Sequence, residues 1–162
     1  MSTPEIHALA EKTISIYTAK KLKIVTAESC TGGLIAGALT GIPGSSQVVE
    51  RGFVTYSNDA KTEVLGVMPE ILGQFGAVSE RTAEEMAKGA LEFSQADIAV
   101  SATGIAGPDG GSDNKPVGLV YFGLATRKNF LMHYKCIFGG NREDVRRQAV
   151  AEALKLLLSI AD

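Results

Sequence analysis

The chain has 162 residues, of which sixteen are basic and eighteen acidic, for a formal charge of -2, and 45% of it is hydrophobic. On a prior of roughly 100 to 200 residues per domain that is one domain, 1–162, apolar enough to bury a core without disulfide or metal staples. The composition excludes a disordered tail, and the balance of charge with no tryptophan argues against a nucleic-acid binder. No run approaches the roughly 18 uninterrupted apolar residues of a spanning helix, so no membrane association is expected.

The first residues, MSTPEIHALA, lack the basic and apolar regions of a secretory leader, and Cys30 and Cys136 lie far apart. A reduced, cytoplasmic protein is expected. With two cysteines and two histidines in all, and no CxxC, HExxH or EF-hand pattern, neither a metal site nor a cofactor is expected.

Thr3 and Pro4 begin an amphipathic helix over about 4 to 19, with Ile6, Leu9, Ala10, Thr13, Ile16 and Tyr17 at helical spacing. LKIVTAE, 22 to 28, is a short strand that stops at Ser29-Cys30-Thr31-Gly32-Gly33, and LIAGALTG after it has no polar face, predicting a buried helix. A breaker cluster at 41 to 46 precedes a second strand over 48 to 57. Asn58 then caps a short helix carrying Lys61 and ending near Gly66. Pro69 opens another short helix, and Ser79 caps a longer one whose Ala83, Met86, Ala87, Ala90 and Leu91 hold the helical repeat. ADIAVSATG follows as a buried strand.

From Gly104 to Gly118 five glycines and two prolines fall within fifteen residues, more than a plain connection needs, which marks the loop as a candidate functional segment. VGLVYFGLAT and FLMHYKCIF, flanking Arg127-Lys128-Asn129, form an antiparallel hairpin. The last helix runs from 142 to 160 with Val145, Ala149, Leu154, Leu157 and Ile160 inward.

Three strand ends feed loops rich in hydroxyls: Glu28 to Gly33, Tyr56 to Asn58 with Lys61 one turn on, and Ser101 to Gly104. If these strands are parallel, their loops share one rim, where ligands of open α/β sheets bind. The SCTGG turn opens a helix whose N-terminal amides could face an anion or an oxyanion, with Ser29 or Thr31 as the nucleophile. The blander alternative is that Ser29 is only a helix cap. Histidine is badly placed as the base, since His7 lies in the first helix and His133 within the hairpin. Lys61 could serve if burial lowered its pKa, with Tyr56 relaying or orienting the proton. Gly139-Gly140-Asn141 ahead of Arg142, Arg146 and Arg147 offers a phosphate site, with Arg142 the better candidate. Ser112-Asp113-Asn114-Lys115 imitates the S-x-x-K and S-D-N motifs of penicillin-binding enzymes, but both overlap inside a Gly/Pro loop and read as coincidence.

TAESCTGG at 26 to 33, RGFVTYSNDAK at 51 to 61, GAVSE at 76 to 80, SATGIAGPDGG at 101 to 111, KPVGLVYFG at 115 to 123 and GGNREDVRRQAV at 139 to 150 together resemble the CinA C-terminal domain family. The resemblance covers nearly the whole chain in the right order. It implies an α/β fold, a three-layer α/β/α sandwich around a mixed, mostly parallel sheet with a C-terminal antiparallel hairpin. It also implies an amidohydrolase that converts nicotinamide mononucleotide to nicotinic acid mononucleotide and ammonia in pyridine-nucleotide salvage, acting as a homodimer or higher homo-oligomer. Many members carry a further N-terminal domain for which this chain has no room.

Carried over by position, Ser29 would be the nucleophile, Lys61 the general base and Tyr56 its assistant. Amides of the Cys30, Thr31 and Gly32 turn, with Gly33, would hold the oxyanion. Thr103 and Gly104 would border the pyridine ring, and Arg142 would hold the 5'-phosphate. The competing reading is a non-catalytic nucleotide-binding or partner-binding module, linked to competence and DNA damage, that uses the same pocket.

Overall fold

A computed structural model describes residues 2–161. Helix α1, Pro4–Lys20, starts where Thr3 accepts the Ile6 N–H with Pro4 in the first turn, and it buries Ile6, Ala10, Thr13, Ile14 and Tyr17. Strand β1 spans Ile24–Glu28 and is buried throughout. Helix α2, Leu34–Thr40, follows the SCTGG turn.

After a 3-10 turn at Ser45–Gln47 come strand β2, Val49–Val54, helix α3, Asn58–Leu65, and helix α4, Pro69–Phe75. Helix α5, Glu80–Glu92, precedes strand β3, Ile98–Gly104, and the hairpin of β4, Leu119–Thr126, with β5, Leu131–Ile137. Helix α6, Arg142–Ser159, closes the chain behind a capping box of Asn141 and Asp144.

The five strands lie in the order β2-β1-β3-β4-β5. β2, β1 and β3 are parallel, while β4 is antiparallel to both β3 and β5, so four strands run one way and β4 opposes them. Alternating side chains send the sheet's two faces into two cores. Ile24, Ile98, Val100 and Phe122 pack with α1, α2 and α6; Val25, Ala27, Ala99 and Ala125 pack with Leu65 of α3 and Met86, Ala87 and Ala90 of α5. The result is the three-layer α/β/α sandwich with the mixed sheet and C-terminal hairpin.

Three local expectations are corrected. β2 ends at Val54, so Thr55, Tyr56 and Ser57 form a connection and not strand. The cap of α3 is Ser57, whose hydroxyl accepts the Ala60 N–H, and Asn58 is already helical. The second helix is not buried all round: only Ile35 and Leu39 are, on the side that packs with α1, α6 and the β1 and β2 strands. Small residues gave it an apolar look without an inward second face.

The long loop between β3 and β4 is fastened to the body. Lys115 Nζ donates to the Phe75 carbonyl at the end of α4, Arg142 donates to the Gly107 carbonyl, and Ile105 and Gly118 bond at the neck.

Candidate active site

Strands β1, β2 and β3 are parallel, the condition for their three hydroxyl-rich loops to share one rim, and the loops meet there. At the end of β1 the two-residue alternation separates neighbours: Glu28 faces the α2 layer and Ser29 the α3 layer. The Glu28 carboxylate is fully buried and accepts the Ile35 and Ala36 N–H groups at 2.8 and 3.0 Å. It supplies the cap that Gly33, at the N-cap position with no side chain, cannot provide. Two of the helix amides expected to face an anion are therefore taken by the protein itself.

The turn between them needs its glycines. Gly32 and Gly33 sit at φ +59° and +101°, a region that costs other residues about 1 kcal/mol or more. Within it the Gly32 N–H donates to the Ser29 carbonyl and the Leu34 N–H to that of Thr31, while Ser29 N–H is held by Ala102 across the sheet. Among the described residues the Cys30, Thr31 and Gly33 N–H groups have no acceptor.

Lys61 reaches this turn from α3. Its Nζ lies 3.0 Å from Ser29 Oγ, 3.1 Å from the Thr55 carbonyl and 3.2 Å from the Tyr56 carbonyl, with the side chain only 1% exposed. No carboxylate is among these partners. Burial disfavours the ammonium form and lowers the Lys61 pKa. The two carbonyls can take both N–H groups of a neutral amine, which leaves its lone pair for the Ser29 hydroxyl. Ser29 is 7% exposed, so the pair sits just below the surface.

Thr31, the other candidate nucleophile, is buried and its hydroxyl has no hydrogen-bond partner among the described residues. Lys61 bonds to Ser29 and not to it. The Tyr56 side chain is exposed, and its hydroxyl accepts from the Arg142 guanidinium at 2.9 Å. What Tyr56 gives Lys61 is its backbone carbonyl. Thr103 is buried at the end of β3 and donates to the Ala77 carbonyl at 2.7 Å, with Gly104 next to it against Val120.

Arg142 bridges Tyr56 and Gly107, joining the connection after β2 to the glycine-rich loop. Arg146, one helical turn on, donates to the Cys30 and Thr31 carbonyls at 3.1 and 3.3 Å, and Arg147 pairs with Asp144. Both histidines lie elsewhere, His7 beside Glu11 and His133 beside Glu84. Lys115 of the S-D-N-K run is spent on Phe75. Among the described residues no three His, Cys, Asp or Glu side chains gather as metal ligands, and no helix is long and apolar enough to cross a membrane.

The residues whose roles sequence reasoning missed are Glu28 and Arg146. Glu28 carried a signal, an acid at the end of an otherwise apolar strand. Arg146 carried a weaker one, its i, i+4 spacing from Arg142.

The sequence pattern of the CinA C-terminal domain family matches residues 6–161. The chain belongs to that family. Among its relatives, the nicotinamide-nucleotide amidohydrolase PncC of Escherichia coli K12 is 51% identical over 157 residues, 97% of this chain and 95% of that protein. A putative competence-damage inducible protein of Caldicellulosiruptor bescii is 52% identical over 149 residues, 92% of this chain but 36% of its own length. The chain thus spans about a third of some relatives and nearly all of others. Of solved structures, the competence/damage inducible protein CihA from Agrobacterium tumefaciens superposes with a TM-score of 0.98 at 50% identity, covering 100% of this chain and 99% of that one. A CinA superfamily protein from Klebsiella pneumoniae does so at 0.92 and 37% identity, covering 96% and 97%. The CinA fold and the Ser29–Lys61 pair therefore come together in one chain.

Proposed function

We propose that this CinA-family chain is an amidohydrolase that converts nicotinamide mononucleotide to nicotinic acid mononucleotide and ammonia, with Ser29 as nucleophile and Lys61 as general base. The observation that carries it is the 3.0 Å contact between Ser29 Oγ and a buried amine with no carboxylate partner. The choice of substrate rests on the likeness to the amidohydrolases named PncC.

Neutral Lys61 takes the Ser29 hydroxyl proton as Oγ attacks the carboxamide carbon, and the carbonyl oxygen becomes an oxyanion. The free Thr31 amide lies in the turn beside it. Collapse breaks the C–N bond, and the nitrogen takes the proton back from Lys61 and leaves as ammonia. Water then attacks the nicotinoyl ester while Lys61 accepts its proton. The ester C–O bond breaks, Ser29 recovers a proton from Lys61, and the acid product gives up its own proton to solvent and departs as the carboxylate. Tyr56, fixed through Arg142, would close the site beside the pair, with Thr103 and Gly104 along the ring and the remaining Arg142 N–H groups on the 5'-phosphate. Salvage of pyridine nucleotides and a homo-oligomeric state belong to the same proposal.

Ammonia release from nicotinamide mononucleotide by the purified chain, with Ser29→Ala and Lys61→Ala beside it, is the test. Turnover in the wild type and a loss of about 10³-fold or more in both folded variants is expected. Nucleotide binding without turnover in the wild type would instead make the domain a binding module.

A further inference from the structure

The turn after Ser29 bends through two left-handed glycines and carries no side chain that could lock it from within. Its conformation is imposed from outside by two charged groups that do not touch the Ser29–Lys61 pair. Glu28 occupies the amides of Ile35 and Ala36 on one side. On the other, Arg146 Nε donates to the Cys30 carbonyl at 3.1 Å, and a terminal nitrogen of the same guanidinium donates to the Thr31 carbonyl at 3.3 Å.

Because a trans peptide is planar, its C=O and N–H point in opposite directions. Holding the Cys30 carbonyl on Arg146 therefore turns the Thr31 N–H away from the guanidinium. Among the described residues the Cys30, Thr31 and Gly33 N–H groups have no acceptor, whereas Gly32 is bonded to Ser29, Leu34 to Thr31, and Ile35 and Ala36 to Glu28; of the three free donors, that of Thr31 is the one in the peptide whose carbonyl Arg146 holds. We propose that Arg146 is a positioning residue that fixes the Cys30–Thr31 peptide so that the Thr31 N–H faces the oxyanion formed when Ser29 attacks. The inference rests on the amidohydrolase reading of the site. Two successive carbonyls require the fixed fork of a guanidinium, and a lysine amine would reach one of them at best. Removing Arg146 leaves substrate contacts in place and frees the donor to wander, so the loss falls on the transition state.

The test compares wild type, Arg146→Met and Arg146→Lys on nicotinamide mononucleotide, with thermal melts to confirm folding. Loss of an oriented oxyanion donor costs about 10²-fold or more in kcat, and KM for a substrate whose contacts persist stays within about threefold. Arg146→Lys, which keeps the charge and the packing, is expected to fold and still lose most of kcat. Binding of the pyridine-3-carbaldehyde analogue of the substrate, which forms a tetrahedral adduct with a serine, weakens in parallel with kcat, whereas affinity for nicotinic acid mononucleotide holds. Added guanidinium ion at low millimolar concentration partly restores Arg146→Met. The proposal is overturned if the folded variants turn over like wild type, or if kcat, KM and product affinity fall together with stability, the mark of a purely structural residue. A wild type that releases no ammonia brings down the amidohydrolase reading itself, and this inference with it.

Discussion

Ser29 and Thr31 are two hydroxyls in one turn, and their surroundings differ. Ser29 Oγ meets the Lys61 amine, while Thr31 Oγ1 is buried with no partner. A buried hydroxyl without a hydrogen bond contributes nothing that an isosteric methyl would not. Thr31→Val is therefore expected to keep or slightly raise the melting temperature and to lose far less turnover than the roughly 10³-fold predicted for Ser29→Ala. Equal losses in the two variants would exchange their roles. The difference between these hydroxyls was not legible in the sequence, because it depends on where β1 stops. One residue of extension would turn each side chain to the opposite face.

At the scale of elements, α3 is the lever that delivers Lys61, and its position is set by α5. Gly89 of α5 faces the Leu65 backbone closely enough that a side-chain carbon there would collide with the Leu65 carbonyl. On helix propensity alone Gly89→Ala would stabilise by about 1 kcal/mol. The contact predicts the reverse, a loss of about 1 to 3 kcal/mol from overpacking, with a fall in kcat as α3 shifts and carries Lys61 off Ser29. Urea melts and turnover of the variant decide between the two signs. Most elements were legible from the chain because their signals are local. Thr3-Pro4 began α1, Ser79 capped α5, and the hairpin stood out by its two apolar runs. The caps of α3 and α2 were harder. Ser57 and Asn58 are both good caps, and α2 takes its cap from Glu28, a strand residue seven positions back. Likewise, that Arg146 would bond to Cys30 and Thr31, more than a hundred residues away, follows only from the packing of α6 over the rim.

For the molecule as a whole, a buried amine without a counter-ion has a cost that depends on pH. The native fold lowers the Lys61 pKa by burial, whereas the unfolded chain restores it to about 10.4. Between those two values the unfolded state binds more protons than the native one, so this residue makes stability rise with pH. Below the native value the penalty is at its largest and constant. The thiols of buried Cys30 and half-buried Cys136 act in the opposite sense. Burial raises Cys30 and Cys136 to about 11, so over the alkaline range the unfolded state loses their protons first and stability falls. Both thiols are present in Lys61→Met as well, so the effect of their burial cancels in the difference between the two proteins, which leaves the lysine together with its weaker charge coupling to Cys30. Denaturant melts from about pH 6 to 11 should show the wild type gaining on Lys61→Met as pH climbs toward the unfolded lysine value. The same native pKa should mark the rising limb of kcat/KM in the wild type, since only the neutral amine can take the Ser29 proton. If the stability difference stays flat while kcat/KM still rises, some other group is the base. Coincidence of the two transitions would tie the cost of burying Lys61 to its use.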